Sequence, residues 1–270
     1  MALSVDPHVA VTWIERVALG AGLERTRDEV AVEEPLEIRV DGEPLAVAMR
    51  TPGEDEELAA GLLASEGLIE GPGDVETVGP TEDLAANVVE VRTRSGLRRD
   101  PADERRFHMS SSCGVCGKAA LEFVRRESPP APPGRALEPE VVLRLPERAR
   151  TGQPGFERTG GLHATALFAP DGEMLALRED VGRHNAMDKA LGALLLGGRW
   201  PLAGLVACLS GRAGFELVQK ASAAGLAGVV AVGAPSSLAV ELAEERGMLL
   251  CGFVRGHSFN VYAGAQRLQA

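Results

Sequence analysis

The sequence contains few aromatic residues and few cysteines. Phe, Trp and Tyr together make up 4% of the 270 residues, and only 4 residues are cysteine. A chain of this length with so few cysteines is not a disulfide-stapled extracellular scaffold, which indicates a reducing compartment. We therefore expect a cytoplasmic protein whose core is built mainly from aliphatic side chains, Ala and Gly.

The sequence also lacks an excess of basic charge and any long hydrophobic run. The 28 Lys and Arg residues are outnumbered by 39 Asp and Glu residues, which gives a formal charge of −11. A nucleic-acid partner is not expected, because phosphate backbones are bound by a basic face. The most apolar stretch, 190–209, is interrupted by Arg199 and Pro201, and residues 1–20 do not resemble a signal peptide. A membrane partner is therefore not expected either.

The first 106 residues have the pattern of a small α+β domain. Short alternating runs occur at 9–11, 36–40 and 45–49, and the last two flank Asp41-Gly42, which is a strong hairpin signal. A helix with an acidic first turn is predicted after Pro52, and another strand is predicted over 87–92. Together these elements form a β-β-α-β unit.

Residues 107–158 are predicted to hold an exposed loop and a connection. The loop carries Cys113 and Cys116, and the proline-rich stretch 128–134 cannot form regular structure. A helix is expected over 138–150, shortened by Pro146.

Residues 159–270 alternate between short apolar strands and helices, which predicts an α/β domain. Strands are predicted over 174–177, 205–209, 229–232 and 249–253, and each meets a glycine-bearing turn. Helices follow the first three of these turns. This alternation indicates right-handed βαβ units and a largely parallel sheet covered by helices.

The turns after these strands are the predicted ligand site. Ligands of such sheets bind beyond the carboxyl ends of the strands, where helix N-termini receive phosphates. Arg183, Arg212 and Arg255 converge there in the prediction, together with the segment 233–237, which includes Gly233 and Ser236. This set suits an anionic ligand with several phosphates. Alternatively, the glycines only make turns and the arginines face water, since none of the turns is a Walker or dinucleotide fingerprint.

Five other polar residues near these turns have open or structural interpretations. His163 and His184 either take part in proton transfer and ligand binding or are structural. Lys189 and Lys220, inside predicted helices, are interpreted as solvated charges. Asp180 either caps the following helix or accepts a hydrogen bond from a ligand.

The pair Cys113 and Cys116 is the main chemical feature of the sequence. Gly114 and Gly117 leave it accessible, and nearby basic residues favour a thiolate. Three uses fit such a pair: a structural zinc site, a dithiol redox centre, or a carrier of sulfane sulfur. Cys208 and Cys251 lie in apolar strands and are predicted to be core residues, so a four-cysteine zinc site is not favoured and no metal is assigned.

Several motifs in the same order resemble the formate dehydrogenase accessory sulfurtransferase family over residues 25–265. They are Ser112-Cys113-Gly-Val-Cys116-Gly, Thr159-Gly-Gly-Leu-His163-Ala, Glu179-Asp-Val-Gly-Arg-His-Asn185, Ser210-Gly-Arg-Ala-Gly214 and Phe253-Val-Arg-Gly-His-Ser-Phe-Asn260. The resemblance implies an enzyme that accepts persulfide sulfur from a cysteine desulfurase. The sulfur then passes to the bis-guanine-dinucleotide form of the molybdenum cofactor, before that cofactor enters formate dehydrogenase.

The resemblance also implies roles for particular residues. Cys113 becomes the persulfide intermediate and Cys116 assists it. The cofactor is contacted by Phe253, Val254, Arg255, Gly256, His257 and Ser258, with its phosphates on the turns at Arg183, Arg212, Gly233 and Ser236. GDP is then expected to bind as a surrogate of the cofactor, and a homodimer is plausible.

The same family resembles cytidine deaminases in fold, which implies an α/β/α-layered C-terminal domain. Deaminase chemistry does not carry over, because that site needs His-x-Glu followed by Pro-Cys-x-x-Cys and this chain has neither. Two other functions remain alternatives: a non-catalytic chaperone of the molybdenum cofactor, in which the thiols are dispensable, and a thiol–disulfide oxidoreductase.

Overall fold

The computed structural model describes residues 8–20, 22–80, 87–98 and 128–269. The strands are β1 (Val9–Ala18), β2 (Gly22–Ala31), β3 (Glu34–Val40), β4 (Glu43–Arg50), β5 (Val75–Gly79), β6 (Val88–Thr93), β7 (His163–Phe168), β8 (Met174–Asp180), β9 (Val206–Leu209), β10 (Gly228–Ala231), β11 (Leu249–Arg255) and β12 (Ser258–Ala263). The helices are α1 (Asp55–Ser65), α2 (Pro139–Arg150), α3 (Pro154–Thr159), α4 (Arg183–Leu196), α5 (Phe215–Ala223) and α6 (Ser237–Glu245), with short 3₁₀ turns at Pro72–Asp74 and Ala265–Arg267.

The N-terminal part contains a four-stranded sheet in the order β4-β3-β6-β5, with α1 against it. The predicted hairpin is confirmed: Asp41 and Gly42 have φ of 52° and 88°, as a type I′ turn requires at both central positions. Alternate residues of β3, among them Leu36, Ile38 and Val40, are buried against α1. β5 was not predicted from the sequence.

A separate two-stranded hairpin, β1–β2, precedes this sheet and differs from the prediction. Only Val9–Val11 had the pattern of a strand, yet ten residues on each side pair from Val9↔Ala31 to Ala18↔Gly22. Most of its side chains are exposed, and the guanidinium groups of Arg25 and Arg27 each lie 5.0 Å from the centroid of the Trp13 ring. A strand without a buried face has little period-2 hydrophobic signal.

The C-terminal part contains a six-stranded sheet in the order β12-β11-β10-β9-β7-β8. β9, β10 and β11 are parallel, as predicted. The expectation of a largely parallel sheet is wrong for the rest, because β7 runs antiparallel to both β8 and β9, and β12 runs antiparallel to β11. The sequence analysis did not assign β7 or β12, and adding them changes the sheet from parallel to mixed.

Helices cover both faces of the six-stranded sheet. On one face, α4, α5 and α6 bury residues such as Met187, Val218 and Leu242. On the other face, α2 buries Val142 and Leu145 against side chains that point the opposite way along the same strands. The mixed α/β class is therefore confirmed, whereas the cytidine-deaminase-like arrangement stays a prediction.

α2 confirms the helix that was predicted over 138–150 within the connecting segment. It begins at Pro139, a favourable first-turn position, and runs through Pro146 to Arg150, so the predicted shortening at Pro146 is wrong. Packing against the sheet compensates for the backbone hydrogen bond that an internal proline removes. The predicted boundaries after residues 106 and 158 stay predictions. No helix in the described part of the chain is long and apolar enough to cross a membrane.

The two sheets are joined through a close contact between α1 and α4. Gly61 lies against the backbone of Asp188, and Gly192 lies against the backbone of Glu57. A Cβ at Gly61 or Gly192 would fall 1.8 Å from a carbonyl oxygen of the partner helix. Only glycine permits this approach, which brings the N-terminal segment beside the start of α4.

Candidate functional site

The ends of several strands meet at one edge of the six-stranded sheet, which we call the carboxyl edge. β8, β9, β10 and β11 end there, and β7 begins there because it is antiparallel to its neighbours. The register places His163 opposite Asp180, and Thr165 opposite Leu209. The strand-to-helix turns therefore do meet at one edge, as predicted. His163 also lies there, at the start of β7, a strand that the sequence analysis did not assign.

Backbone hydrogen bonds hold adjacent turns of this edge together. Gly233 N donates to Gly211 O at 2.9 Å, Ser236 N donates to Ala213 O at 3.0 Å, and Phe253 N donates to Gly233 O at 3.1 Å. A Cβ at Gly233 would lie 3.1 Å from Cα of Arg212, so the turns approach too closely for a larger residue there. The carboxyl edge is thus a fixed surface made of backbone.

Arg183 and Arg212 bring positive charge to this surface. Arg183 is the first residue of α4, Arg212 follows β9, and both side chains are exposed. Among the described residues, neither forms an ion pair with a carboxylate, and the same holds for Arg255. Arginines without a carboxylate partner beside helix N-termini are suited to an anionic ligand.

His163 lies close to these arginines. Burial lowers the pKa of His163, and the positive charges of Arg183, His184 and Arg212 lower it further, against a smaller opposing effect of Asp180. The imidazole is therefore neutral at pH 7. Its Nδ1 lies 3.4 Å from the position a Cβ would take at Gly211. The His163 side chain makes no hydrogen bond within the described parts of the chain, so its ring nitrogens remain available.

His184 has a different environment. Its Nε2 lies 2.7 Å from Oε2 of Glu216 on α5. The hydrogen bond from His184 lowers the pKa of the Glu216 carboxyl. This contact links the first turns of α4 and α5, which favours the structural interpretation of His184.

Ser236 and Gly233 occupy the turn between β10 and α6. Ser236 is the N-cap of α6, and its hydroxyl accepts a hydrogen bond from Ala239 N at 3.3 Å. This is the capping role that serine prefers, and it leaves the hydroxyl proton for another acceptor.

The predicted cofactor segment, residues 253–258, forms the end of β11 and its turn into β12. Phe253 has φ of 53°, unusual for a bulky side chain, and is 39% exposed. Val254 is fully buried in the core, so only its backbone is available to a ligand. Exposed positions follow at Arg255, Gly256, His257 and Ser258. A strained, exposed aromatic residue beside an arginine is consistent with a contact site.

A cavity of about 330 Å³ opens on the α2 side of the same edge. Its walls come from α2, α3, the start of β7 and the ends of β9 and β10; the lining residues are Pro146, Ala149, Arg150, Gln153, Phe156, Gly160, Gly161, Leu162, His163, Cys208, Ser210 and Val232. His163 and Ser210 therefore belong both to the cavity and to the carboxyl edge. The sequence analysis did not find Gln153, because nothing in its local pattern distinguishes it from a surface glutamine.

Cys113 and Cys116 lie outside the described residues, so their assignments stay predictions. Cys208 and Cys251 are buried core residues, as predicted, on β9 and β11. Burial raises the pKa of each thiol to about 12. Both thiols are therefore protonated at neutral pH and are poor nucleophiles.

Asp180 and Lys189 form a buried pair behind the carboxyl edge. Both side chains have zero exposure, and Nζ of Lys189 lies 2.9 Å from Oδ2 of Asp180. Asp180 also accepts hydrogen bonds from Thr51 N, Gly182 N and Asn185 Nδ2. The carboxylate is thus occupied by the protein's own donors, which favours a structural role over contact with a ligand.

Lys220 forms a second buried pair, with Asp188 at 3.0 Å, and also contacts Ser65 and Glu66. Burial raises the pKa of Asp188, opposed by the positive charge of Lys220. The interpretation of Lys189 and Lys220 as solvated charges is therefore wrong: both lysines are buried and bind the N-terminal part of the chain.

Comparisons with known proteins agree with one another. A family model described as the FdhD/NarQ family matches residues 31–269. A protein of Anaeromyxobacter dehalogenans named "Sulfur carrier protein FdhD" is 49% identical, over 95% of this chain and 98% of its own length. One of Streptomyces avermitilis with the same name is 51% identical, over 89% of each chain. The crystal structure of a candidate formate dehydrogenase accessory protein from Desulfotalea psychrophila is similar in fold. Its TM-score is 0.78 at 24% identity, over 97% of this chain and all of that one.

Proposed function

Because this chain belongs to the FdhD/NarQ family, we propose that it is a sulfur carrier that takes persulfide sulfur onto Cys113 and delivers it to a guanine-dinucleotide molybdenum cofactor. The curated relatives named as sulfur carrier proteins support the coarser part of this function. The client is a formate dehydrogenase, in keeping with the accessory-protein description of the structural relative. The sulfur donor is a cysteine desulfurase.

The observation that carries the acceptor half of the proposal is the carboxyl edge. Arg183 and Arg212 lie beside His163 without a carboxylate partner among the described residues, next to the N-terminus of α4 and the interlocked turns. Guanine-dinucleotide phosphates would neutralise this charge, with Ser236 and the segment 253–258 completing the contact. The cofactor is here a substrate, and its surrogate in a binding experiment is GDP.

The loading step is a displacement at sulfur. The Cys113 thiolate attacks the terminal sulfur of the donor's persulfide, the donor's S–S bond breaks, and the donor's thiolate leaves. Cys113 then carries one additional sulfur atom. Cys208 and Cys251 cannot substitute for it, because burial holds them as thiols with a pKa of about 12.

The release step uses Cys116. Its thiolate attacks the inner sulfur of the Cys113 persulfide, which forms a Cys113–Cys116 disulfide and expels hydrosulfide toward the bound acceptor. The two electrons that convert sulfane sulfur to sulfide come from the two thiols, so a dithiol reductant must restore them before the next cycle.

The proposal is tested by intact-mass analysis after incubation with a cysteine desulfurase and cysteine. We expect a gain of one sulfur atom that a reductant removes, and peptide mapping should place it on Cys113. Cys113→Ala should abolish the gain, while the matched variant Cys251→Ala should retain it.

GDP binding separates the carrier from a non-catalytic chaperone. The carrier model expects Cys113→Ala to bind GDP normally and to fail in activating formate dehydrogenase. Activation that survives in Cys113→Ala would instead identify a chaperone. The predicted homodimer remains a prediction of the same family resemblance.

A further inference from the structure

Asn185 joins the turn after β8 to the N-terminal part of the chain. Its side-chain nitrogen donates to the carbonyl oxygen of Met49 at 2.7 Å and to Oδ1 of Asp180 at 3.0 Å. β4 is an edge strand, and Met49 lies opposite Pro35, which has no backbone N–H to donate. Asn185 therefore supplies a donor to this carbonyl from 136 positions further along the chain.

The chemistry of the two acceptors fixes the orientation of the Asn185 amide. A backbone carbonyl and an ionised carboxylate only accept hydrogen bonds, so the atom that faces them is the amide nitrogen with its two N–H groups. An aspartate at this position would offer no donor, and a serine would offer only one. The bridge between Met49 and Asp180 therefore depends on the asparagine.

The same turn carries Arg183 to the carboxyl edge. Gly182 is the N-cap of α4 and has no side chain that could cap the helix. The turn is held by the N-terminal part instead: Val181 N donates to Oγ1 of Thr51 at 3.1 Å, and Thr51 N donates to Oδ2 of Asp180 at 3.1 Å. The end of β4 and the residue after it thus set the position of the first turn of α4.

We propose that Asn185 is a positioning residue for the anionic ligand: by tying the turn after β8 to Met49, it keeps Arg183 beside His163, where a ligand phosphate binds. Asn185 acts through Arg183 and needs no contact of its own with the ligand. The ligand is that of the proposed function, on which this role therefore rests. An arginine binds phosphate through directional hydrogen bonds, so a displaced turn weakens binding although the net charge stays the same.

His163 reports where Arg183 lies. After burial, the charge of Arg183 is the largest of the influences that lower the pKa of His163. This influence decreases with the distance between the two groups. Since Asn185 is uncharged, replacing it alters the pKa of His163 only by moving the groups around the ring.

The test measures two properties of Asn185→Ala in the full chain. The affinity for GDP, measured by calorimetry, should fall by about tenfold, as expected when an arginine no longer aligns with a phosphate. The NMR midpoint of His163 should rise toward its ordinary value of about 6.5, because Arg183 is no longer held near the ring. A residue that only stabilises the fold would change neither property in protein that remains folded.

A double-variant cycle shows whether Asn185 acts through Arg183. Arg183→Gln removes the guanidinium, and Asn185→Ala in that background should weaken GDP binding no further. Losses that simply add would show that the two residues act independently, which overturns the positioning role. Wild-type GDP affinity together with a wild-type His163 midpoint in Asn185→Ala would overturn it as well.

Ser65→Ala is the matched control for lost stability. The buried Ser65 hydroxyl donates to Oδ1 of Asp188 at 2.7 Å, so its removal also breaks a link between the N-terminal part and α4, away from the turn after β8. This variant should lower the free energy of unfolding and keep the GDP affinity and the His163 midpoint of the wild type. A change of either in Ser65→Ala would mean that any loosening of α4 has this effect, and the specific role of Asn185 would be wrong.

Two results separate this inference from the proposed function. If the wild type binds no GDP, the anion site of the proposed function is wrong, whereas a raised His163 midpoint in Asn185→Ala still shows that Asn185 holds Arg183 in place. If Asn185→Ala binds GDP as the wild type does and Cys113 is still persulfidated, the positioning role alone is wrong.

Discussion

The protonation of His163 depends both on its burial in the cavity wall and on the arginines of the carboxyl edge. Its pKa is lowered by burial first and by Arg183 and Arg212 among its neighbours. In the unfolded chain the same imidazole titrates near its ordinary value of about 6.5. The unfolded state therefore binds a proton at a higher pH than the folded state does, and His163 makes folding less favourable as the pH falls below that value.

A pH titration of His163 tests this electrostatic arrangement. We expect its NMR midpoint to lie below 6.5, and Arg212→Gln should raise the midpoint because it removes one of the positive charges that oppose protonation. His163→Gln assigns the resonance. In addition, the stability advantage of the wild type over His163→Gln should decrease as the pH is lowered from 7.5 to 5.5.

The control for this titration is Arg94→Gln, which makes the same change of charge at an exposed position after β6. It should leave the His163 midpoint unchanged. A midpoint in Arg212→Gln equal to that of the wild type would show that Arg212 does not act on His163, and would weaken the case for an anion site at these turns.

Single residues were only partly predictable from the sequence. Arg183 and Arg212 could be assigned to the carboxyl edge because they follow apolar strands in glycine-bearing turns. The left-handed backbone of Phe253 and the place of Gln153 in the cavity wall could not be predicted. Both depend on contacts with segments that are distant in the chain.

At the scale of elements, the contact between α1 and α4 controls how closely the two sheets approach. Gly192→Ala should destabilise the protein strongly, because the new Cβ would lie 1.8 Å from the carbonyl oxygen of Glu57, which belongs to the backbone and cannot rotate away. We expect a loss of about 3 kcal/mol or more in the free energy of unfolding, measured by urea denaturation.

Gly73→Ala is the corresponding control. Gly73 lies in the exposed 3₁₀ turn Pro72–Asp74, and a Cβ there would contact nothing within 4 Å. Its stability should remain within about 0.5 kcal/mol of the wild type. A similarly small effect of Gly192→Ala would mean that the helices can separate, and that the close contact is not required.

Elements were predictable where their hydrophobic pattern was strong. α1, α4, α5 and α6 were assigned from helical spacing and glycine-bearing starts, and the Asp41-Gly42 turn fixed the β3–β4 hairpin. β2 was missed because its residues are mostly exposed and polar, which removes the alternation that identifies a strand. α2 continues through Pro146 because tertiary packing overrides a local helix-breaking tendency.

At the scale of the whole molecule, buried charge joins the N-terminal part to the sheet domain. Thr51 lies just before α1, and both its N–H and its carbonyl oxygen are bound by Asp180 and Lys189, respectively. These partners are 129 and 138 residues away in the chain, so no local pattern could reveal them. The sequence analysis divided the chain into two domains and assigned no contact between them, whereas the structure joins them through packed helices and ion pairs.

Removing the charge of Lys189 tests whether this connection holds the molecule together. Lys189→Met should lower the free energy of unfolding by about 3–5 kcal/mol, because it leaves the carboxylate of Asp180 buried without its counter-ion. The measurement is urea denaturation followed by far-UV circular dichroism. The double variant Lys189→Met/Asp180→Asn should lose less stability than Lys189→Met alone, because the amide carries no charge and its single oxygen can still accept from either Thr51 N or Gly182 N, which donate to different oxygens of the carboxylate. If Lys189→Met lost less than about 1 kcal/mol, the pair would not be what joins the two parts of the chain, and the α1–α4 contact together with the hydrogen bond from Thr51 N to Asp180 would hold them.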